Sequence, residues 1–338
     1  MNYDPELAAA LATNPFLNRP TPLLPPGVSE AASYRKMLSA THKPFAEYYA
    51  QRLPDSSQYT VFDRQVSVED GKIMVRCVIP TCGDGETVPV LVWMHGGGWV
   101  FGDLDQDDMH LRTISVELKV AIVNVDYRLA PEHPFPIPFE DSYTAVKWVV
   151  EHAPELKVDL KKGFVVAGDS AGGNMAAAIA LQARDDTFFN AHSLTGQYLR
   201  QATVCSPEAH PEKYRAELRS LSEYTNTPVL KTETVHNFIS LYAPPSAAND
   251  LRISPLLAAS HAGLPPAFIQ VQELDPLHDE EILYEKLLRE AGVPTKLIEY
   301  SGCFHAFHYL FPGVAAAVKL DRDAREGIKW LLFLSNAS

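Results

Sequence analysis

The stretch Phe164-Val165-Val166-Ala167-Gly168-Asp169-Ser170-Ala171-Gly172-Gly173-Asn174 limits what this chain can fold into more than any other. An apolar run over 164–168 reads as a strand and an Ala-rich pattern over 171–183 as a helix, with no loop between them. So abrupt a turn needs small residues two positions either side of its centre, which Gly168 and Gly172 supply. It strains the central backbone and pushes that side chain out beyond the strand, at a helix N-terminus. The central residue is Ser170, so the turn presents a hydroxyl as a candidate nucleophile.

A strand feeding a helix is the repeating unit of an open α/β sheet, and the chain repeats it. Apolar runs at 88–94, 120–125, 164–168, 202–205, 267–272 and 295–300 predict strands buried on both faces, as in a parallel sheet. Runs at 61–68 and 73–79, split by Glu69-Asp70-Gly71-Lys72, predict a hairpin ahead of them and bring the strands to eight. Helical patterns at 107–118, 139–152, 171–183, 280–291 and 314–334 fill the gaps; Pro154 stops the second and Gly292 follows the fourth. Two more helices are expected before the sheet, at 4–12 and 29–52.

The segment 206–255 breaks the alternation. It is rich in charge and proline, with an amphipathic helix near 231–242, and an insertion of that length is usually a lid or binding element. The expected organisation is an N-terminal helical segment (1–55), a first part of the core (56–205), the insertion (206–255) and a second part of the core (256–338).

Charge narrows the partners. Lys and Arg total 29 against 42 Asp and Glu, and the net charge of −13 repels phosphate backbones and anionic lipid. Neither nucleic acid nor a membrane is an expected partner. No apolar run reaches 18 residues, and Asp4 and Glu6 stand where a signal peptide would carry Lys or Arg, so the expected location is cytoplasmic. Cys77, Cys82, Cys205 and Cys303 form no C-x-x-C pair and read as reduced thiols.

Three glycines close the 88–94 strand in Trp93-Met94-His95-Gly96-Gly97-Gly98-Trp99. Glycines there let backbone N–H groups turn towards a ligand, which an oxyanion hole requires; Ala171 N–H adds a donor from the elbow. His95 reads as structural. Ser170 also needs a base and a group to orient it. The 267–272 strand runs into Glu273-Leu274-Asp275-Pro276-Leu277-His278-Asp279-Glu280. Asp275, just past the strand end, is the preferred acid, with Glu273 a rival; Asp279 and Glu280 suit the first turn of the next helix. The last strand leads to Ser301-Gly302-Cys303-Phe304-His305-Ala306-Phe307-His308, where His305 can swing over the elbow and His308 competes.

Four blocks in this order resemble the hormone-sensitive-lipase-like branch of the α/β hydrolases: His95-Gly96-Gly97-Gly98-Trp99, Asp126-Tyr127-Arg128-Leu129-Ala130-Pro131-Glu132-His133-Pro134-Phe135-Pro136, Gly168-Asp169-Ser170-Ala171-Gly172-Gly173-Asn174 and Asp275-Pro276-Leu277-His278-Asp279-Glu280. The likeness spans roughly residues 60–334. It implies the α/β-hydrolase fold, an eight-stranded, mostly parallel sheet flanked by helices. It also implies a helical cap drawn from the N-terminal helices and the insertion after the sixth strand. The activity implied is that of a carboxylesterase, with Ser170 as nucleophile, His305 as base and Asp275 as orienter. Backbone N–H groups of Gly96, Gly97 and Ala171 would form the oxyanion hole, with no metal or cofactor. The run from Tyr127 to Pro136 would brace the active-site loops.

One position departs from the family pattern. In Gly102-Asp103-Leu104-Asp105-Gln106-Asp107-Asp108 the family usually has His before the last Asp, which bears on the pocket rim. Phe16, Tyr34, Phe45, Phe238 and Tyr242 are candidates for that rim, although packing between cap helices accounts for most of them. The cap's short, mixed composition favours small to medium acyl esters, and monomer or homodimer is expected. Two rivals stand beside the carboxylesterase. One is a binding protein like the plant gibberellin receptors, which resemble the family but lack the histidine that His305 supplies here. The other is a tailoring hydrolase of secondary metabolism, a deacetylase or lactonase; the family includes a fungal esterase that deacetylates a polyketide intermediate.

Overall fold

The structure, a computed structural model, describes residues 1–14 and 29–337, without the side chains at 30, 37–40, 336 and 337. Two helices lead, α1 (Pro5–Thr13) and α2 (Glu30–Ala50), each opened by a side-chain cap, Asp4 and Ser29. A hairpin follows: β1 (Tyr59–Val68) and β2 (Gly71–Pro80) pair antiparallel around the two-residue turn Glu69-Asp70. Asp70 supplies the positive φ, 54°, that such a turn needs.

The remaining strands are β3 (Val90–Met94), β4 (Ala121–Asp126), β5 (Phe164–Asp169), β6 (Gly196–Arg200), β7 (Ala267–Gln272) and β8 (Thr295–Tyr300). They form one sheet in the order β1-β2-β4-β3-β5-β6-β7-β8, parallel everywhere beyond the β2–β4 pair. Eight strands, mostly parallel, with helices on both faces make the open α/β sheet that the alternation predicts.

Alternate residues of the central strands feed opposite faces, as the two-residue period requires. Leu91 and Trp93 of β3 pack with Val165, Tyr198 and Phe268 against α3 (Asp108–Leu118) and α10 (Ala315–Ala337). Val90, Val92 and Met94 face the other way, towards α4 (Ile137–Glu151), α5 (Ala171–Asp185) and α8 (His278–Glu290). Three further helices, α6 (Ser220–Glu223), α7 (Thr232–Tyr242) and α9 (Phe307–Leu310), lie in connections beyond strand ends. The four cysteines are unpaired, and among the described residues no helix is long and apolar enough to cross a membrane.

One expected strand is corrected. The sixth strand is Gly196–Arg200, and residues 202–205 are not a strand. Their polar backbone groups are claimed by side chains. Ala202 N–H donates to Glu281 at 2.6 Å and Val204 N–H to Glu280 at 2.8 Å, while Asn174 Nδ2 donates to the Thr203 carbonyl at 2.8 Å. A segment so saturated has no ladder to offer a neighbouring strand.

Candidate active site

The elbow forms where the sequence requires it. Ser170 sits between β5 and α5 at φ 53° and ψ −115°, a conformation that L-residues rarely adopt. A Cβ on Gly172 would run into the Met94 carbonyl, so glycine here is what lets the elbow lie against the end of β3. The Ser170 amide is held by the Arg200 carbonyl at 2.8 Å, which fixes the turn to the end of β6.

His305 and Asp275 come from the ends of the last two strands. His305 Nε2 lies 3.1 Å from Ser170 Oγ, and its Nδ1 lies 2.6 Å from Asp275 Oδ2. The other oxygen of Asp275 accepts the Leu277 amide at 2.9 Å, which sets the carboxylate's rotation. All three residues are buried, with Ser170 the most accessible at 9%. Burial pushes the His305 imidazolium down, but the Asp275 carboxylate against Nδ1 more than offsets this and leaves it above the usual histidine range.

The rival residues lie elsewhere. Glu273 accepts the Gly302 amide at 2.7 Å and steadies the histidine loop from outside. His308 is buried in α9 with both ring nitrogens unpartnered, and burial holds it well below the usual range. His95 is likewise buried, its Nδ1 2.8 Å from the Gly96 carbonyl and its ring stacked on Tyr127 at 4.2 Å. Tyr127 Oη donates to the His95 carbonyl at 2.8 Å, so this run braces the glycine loop.

Gly97 and Gly98 line a cavity that also opens on Ser170 and His305. The amides of Gly96, Gly97 and Ala171 donate to no other described residue. Ala171 opens the 15-residue helix α5, whose dipole adds positive potential at that point. The cavity measures about 60 Å³. Val235, Phe238 and Ile239 of α7 make its apolar wall, and Thr41 and His42 of α2 with Gln106 and Tyr309 make a more polar one. Among the described residues no cluster of His, Cys, Asp or Glu is arranged to hold a metal.

Of the expected rim residues, Phe238 lines the cavity, and Tyr34 backs it through a ring contact at 5.0 Å. Phe45 packs against Tyr309 and Tyr242 stacks on Trp99 at 4.3 Å, so each backs a lining residue without lining the cavity itself. Phe16 lies outside the described residues.

Asp107 is not at the rim but beneath the elbow, 1% exposed. Its carboxylate accepts from Trp93 Nε1 at 3.0 Å and Tyr309 Oη at 2.9 Å and pairs with Arg200 at 3.4 Å. Arg200, equally buried, also pairs with Asp169 at 2.6 Å. Burial works against its charge, and the two carboxylates more than offset that.

The chain is similar to known proteins. A family model described as an alpha/beta hydrolase fold matches residues 91–309. The crystal structure of vibralactone cyclase superposes with a TM-score of 0.93 at 38% identity, over 99% of this chain and 96% of that one. Esterase LipI of Mycobacterium tuberculosis is 36% identical over 76% of this chain and 77% of its own length. Versiconal hemiacetal acetate esterase of Dothistroma septosporum is 32% identical, over 80% and 82% respectively.

Proposed function

The chain belongs to the α/β hydrolases, in the hormone-sensitive-lipase-like branch with its carboxylesterases, and from that premise we propose a serine-based mechanism on small to medium acyl esters. Ser170 is the nucleophile, His305 the general base and Asp275 its orienter. One observation carries this reading: the unbroken run of contacts from Asp275 through both His305 nitrogens to Ser170 Oγ, at a strained elbow.

His305 Nε2 takes the Ser170 proton as Oγ attacks the ester carbonyl, and the oxyanion meets the N–H groups of Gly96, Gly97 and Ala171. His305 then protonates the leaving alcohol, and a water repeats the cycle on the acyl-enzyme. Asp275 keeps the imidazole in the tautomer with its proton on Nδ1 and stabilises imidazolium without accepting that proton. Helix α2 of the N-terminal segment and helix α7 of the insertion act as a cap, since both wall the cavity. The apolar wall that Val235, Phe238 and Ile239 set beside Ser170 suits the acyl group of an ester.

Hydrolysis of p-nitrophenyl esters from acetyl to palmitoyl, with Ser170→Ala in parallel, tests the reading. Turnover that falls with chain length and drops about 10⁶-fold in the variant supports it. A variant that keeps wild-type activity overturns it.

A tailoring reaction on a lactone or acetate ester is the second reading. It is favoured by the similarity over 99% of the chain to vibralactone cyclase, and by the relative that is a versiconal hemiacetal acetate esterase. An enzyme that labels at Ser170 with an organophosphate yet hydrolyses no simple ester would favour it.

A further inference from the structure

We infer that Gln201 is a positioning residue: its side chain joins the turn carrying Ser170 to the loop carrying His305 and holds the two at one separation. The residue is fully buried and follows directly on β6. Its Nε2 donates to both oxygens of Asp169, at 2.9 and 3.2 Å, and its Oε1 accepts the Ala306 amide at 2.8 Å. Asp169 immediately precedes Ser170, and Ala306 immediately follows His305. One side chain therefore grips the neighbour of each reacting group.

The chemistry of the bridge is specific to a long primary amide. It needs a donor and an acceptor on one planar centre, which carboxylate and hydrocarbon side chains lack. Asparagine is one methylene too short. The gripping residue and one of the points it holds are also in costly conformations. Gln201 has φ 45° and Ala306 φ 61°, values that non-glycine residues keep only where the surroundings over-determine them. Strain of this kind at a bridge between two loops is what a fixed separation of 3.1 Å between Nε2 and Oγ would require.

Arg200 runs a parallel path, from Asp169 at 2.6 Å to Tyr309 Oη at 2.9 Å. Removing it would strand the carboxylates of Asp107 and Asp169, so its loss would report on buried charge. Gln201 is neutral, and after its removal Asp169 keeps Arg200. Its loss reports on the bridge.

The inference rests on the reading of Ser170 and His305 given above, and the experiment separates the two. Gln201→Met and Gln201→Glu would be made in the full chain and checked for folding by near-UV circular dichroism. kcat, KM and the pH profile of kcat/KM would be measured on the p-nitrophenyl ester that wild type turns over fastest, beside Ser170→Ala. The Met variant should lose about 10–100-fold in kcat with KM within about twofold, the signature of misplaced reacting groups. The Glu variant keeps the acceptor for Ala306 but sets a new carboxylate against Asp169. The charged and titratable groups facing His305 are Asp275, Asp169, Arg200 and His308. A further negative charge among them should move the acid limb of kcat/KM to higher pH. If the Met variant does not fold, the Glu variant carries the test. A folded variant with kcat within about twofold of wild type and an unmoved acid limb overturns the inference. Activity that survives Ser170→Ala overturns the underlying reading instead, and the inference with it.

Discussion

Glu281 accepts the amide of Ala202 at 2.6 Å across 79 residues of sequence, standing in for the strand that would otherwise have paired there. Its second oxygen has no partner, and burial holds its carboxyl well above the usual range. A buried acid raised in the folded state binds its proton more tightly there than in the unfolded chain. Stability therefore falls as pH rises from about 4.5 towards the folded value. Glu281→Gln keeps an acceptor for Ala202 and removes that dependence. Its melting temperature should exceed wild type at pH 8 and match it near pH 4; equal differences at both would contradict the account.

Asp275 raises His305 above the ordinary histidine range, so the acid limb of kcat/KM should lie above about 6.5. Asp275→Asn removes the charge and frees the wrong tautomer. The limb should move to lower pH while kcat falls about 10⁴-fold. A variant with the same limb as wild type would detach the titration from His305.

His308 behaves oppositely. Buried and held well below the usual range, it stays neutral in the fold while the unfolded chain takes a proton below about pH 6.5. It therefore costs stability as pH falls below that value, by up to about 1.4 kcal/mol per pH unit until its folded value is reached. His308→Phe, in contact with Phe45 and Tyr309, should flatten the fall in melting temperature between pH 7 and 5. An unchanged slope would show that other groups set the acid limit.

Phe238 packs so closely over Gly98 that a Cβ on the glycine would meet its ring. Phe238→Ala opens the apolar wall beside Ser170. Turnover of p-nitrophenyl octanoate relative to the acetate should rise about tenfold, the scale of one or two methylenes in an apolar pocket. A ratio unchanged within twofold would mean that the acyl group leaves by another side.

That Ser170, Asp275 and His305 meet was legible in the sequence because each is fixed by its own surroundings: an elbow that tolerates only small neighbours, and the turns at two strand ends. The sixth strand was not. Gly196–Arg200 carries Gln197 and Arg200, whose polar ends bond the Pro265 carbonyl and Asp169, whereas 202–205 is the more apolar run. Hydrophobicity thus favoured the wrong window. Asp107 was misjudged because its partner Arg200 lies 93 residues away. A carboxylate without a visible partner reads as surface. Gln201 left no signal at all, since its two bonds join segments that only the fold brings together. The polar wall from α2 was equally hidden, because an amphipathic pattern does not say which turn of a helix meets a cavity.

The loop that carries His305 is tied to the beginning of the chain. Gly302 accepts the Asp4 amide at 3.0 Å, Leu7 packs among Phe304, Phe307 and Leu310, and Glu6 takes the Ala315 amide at 2.6 Å across 309 residues. In time rather than space, residues made early wait for partners made 309 residues later. A chain closed by its most distant contacts pays the full loop-closure entropy late, so the reactive constellation should be among the final parts to order during synthesis. Until then the growing polypeptide carries the Ser170 elbow without His305 beside it.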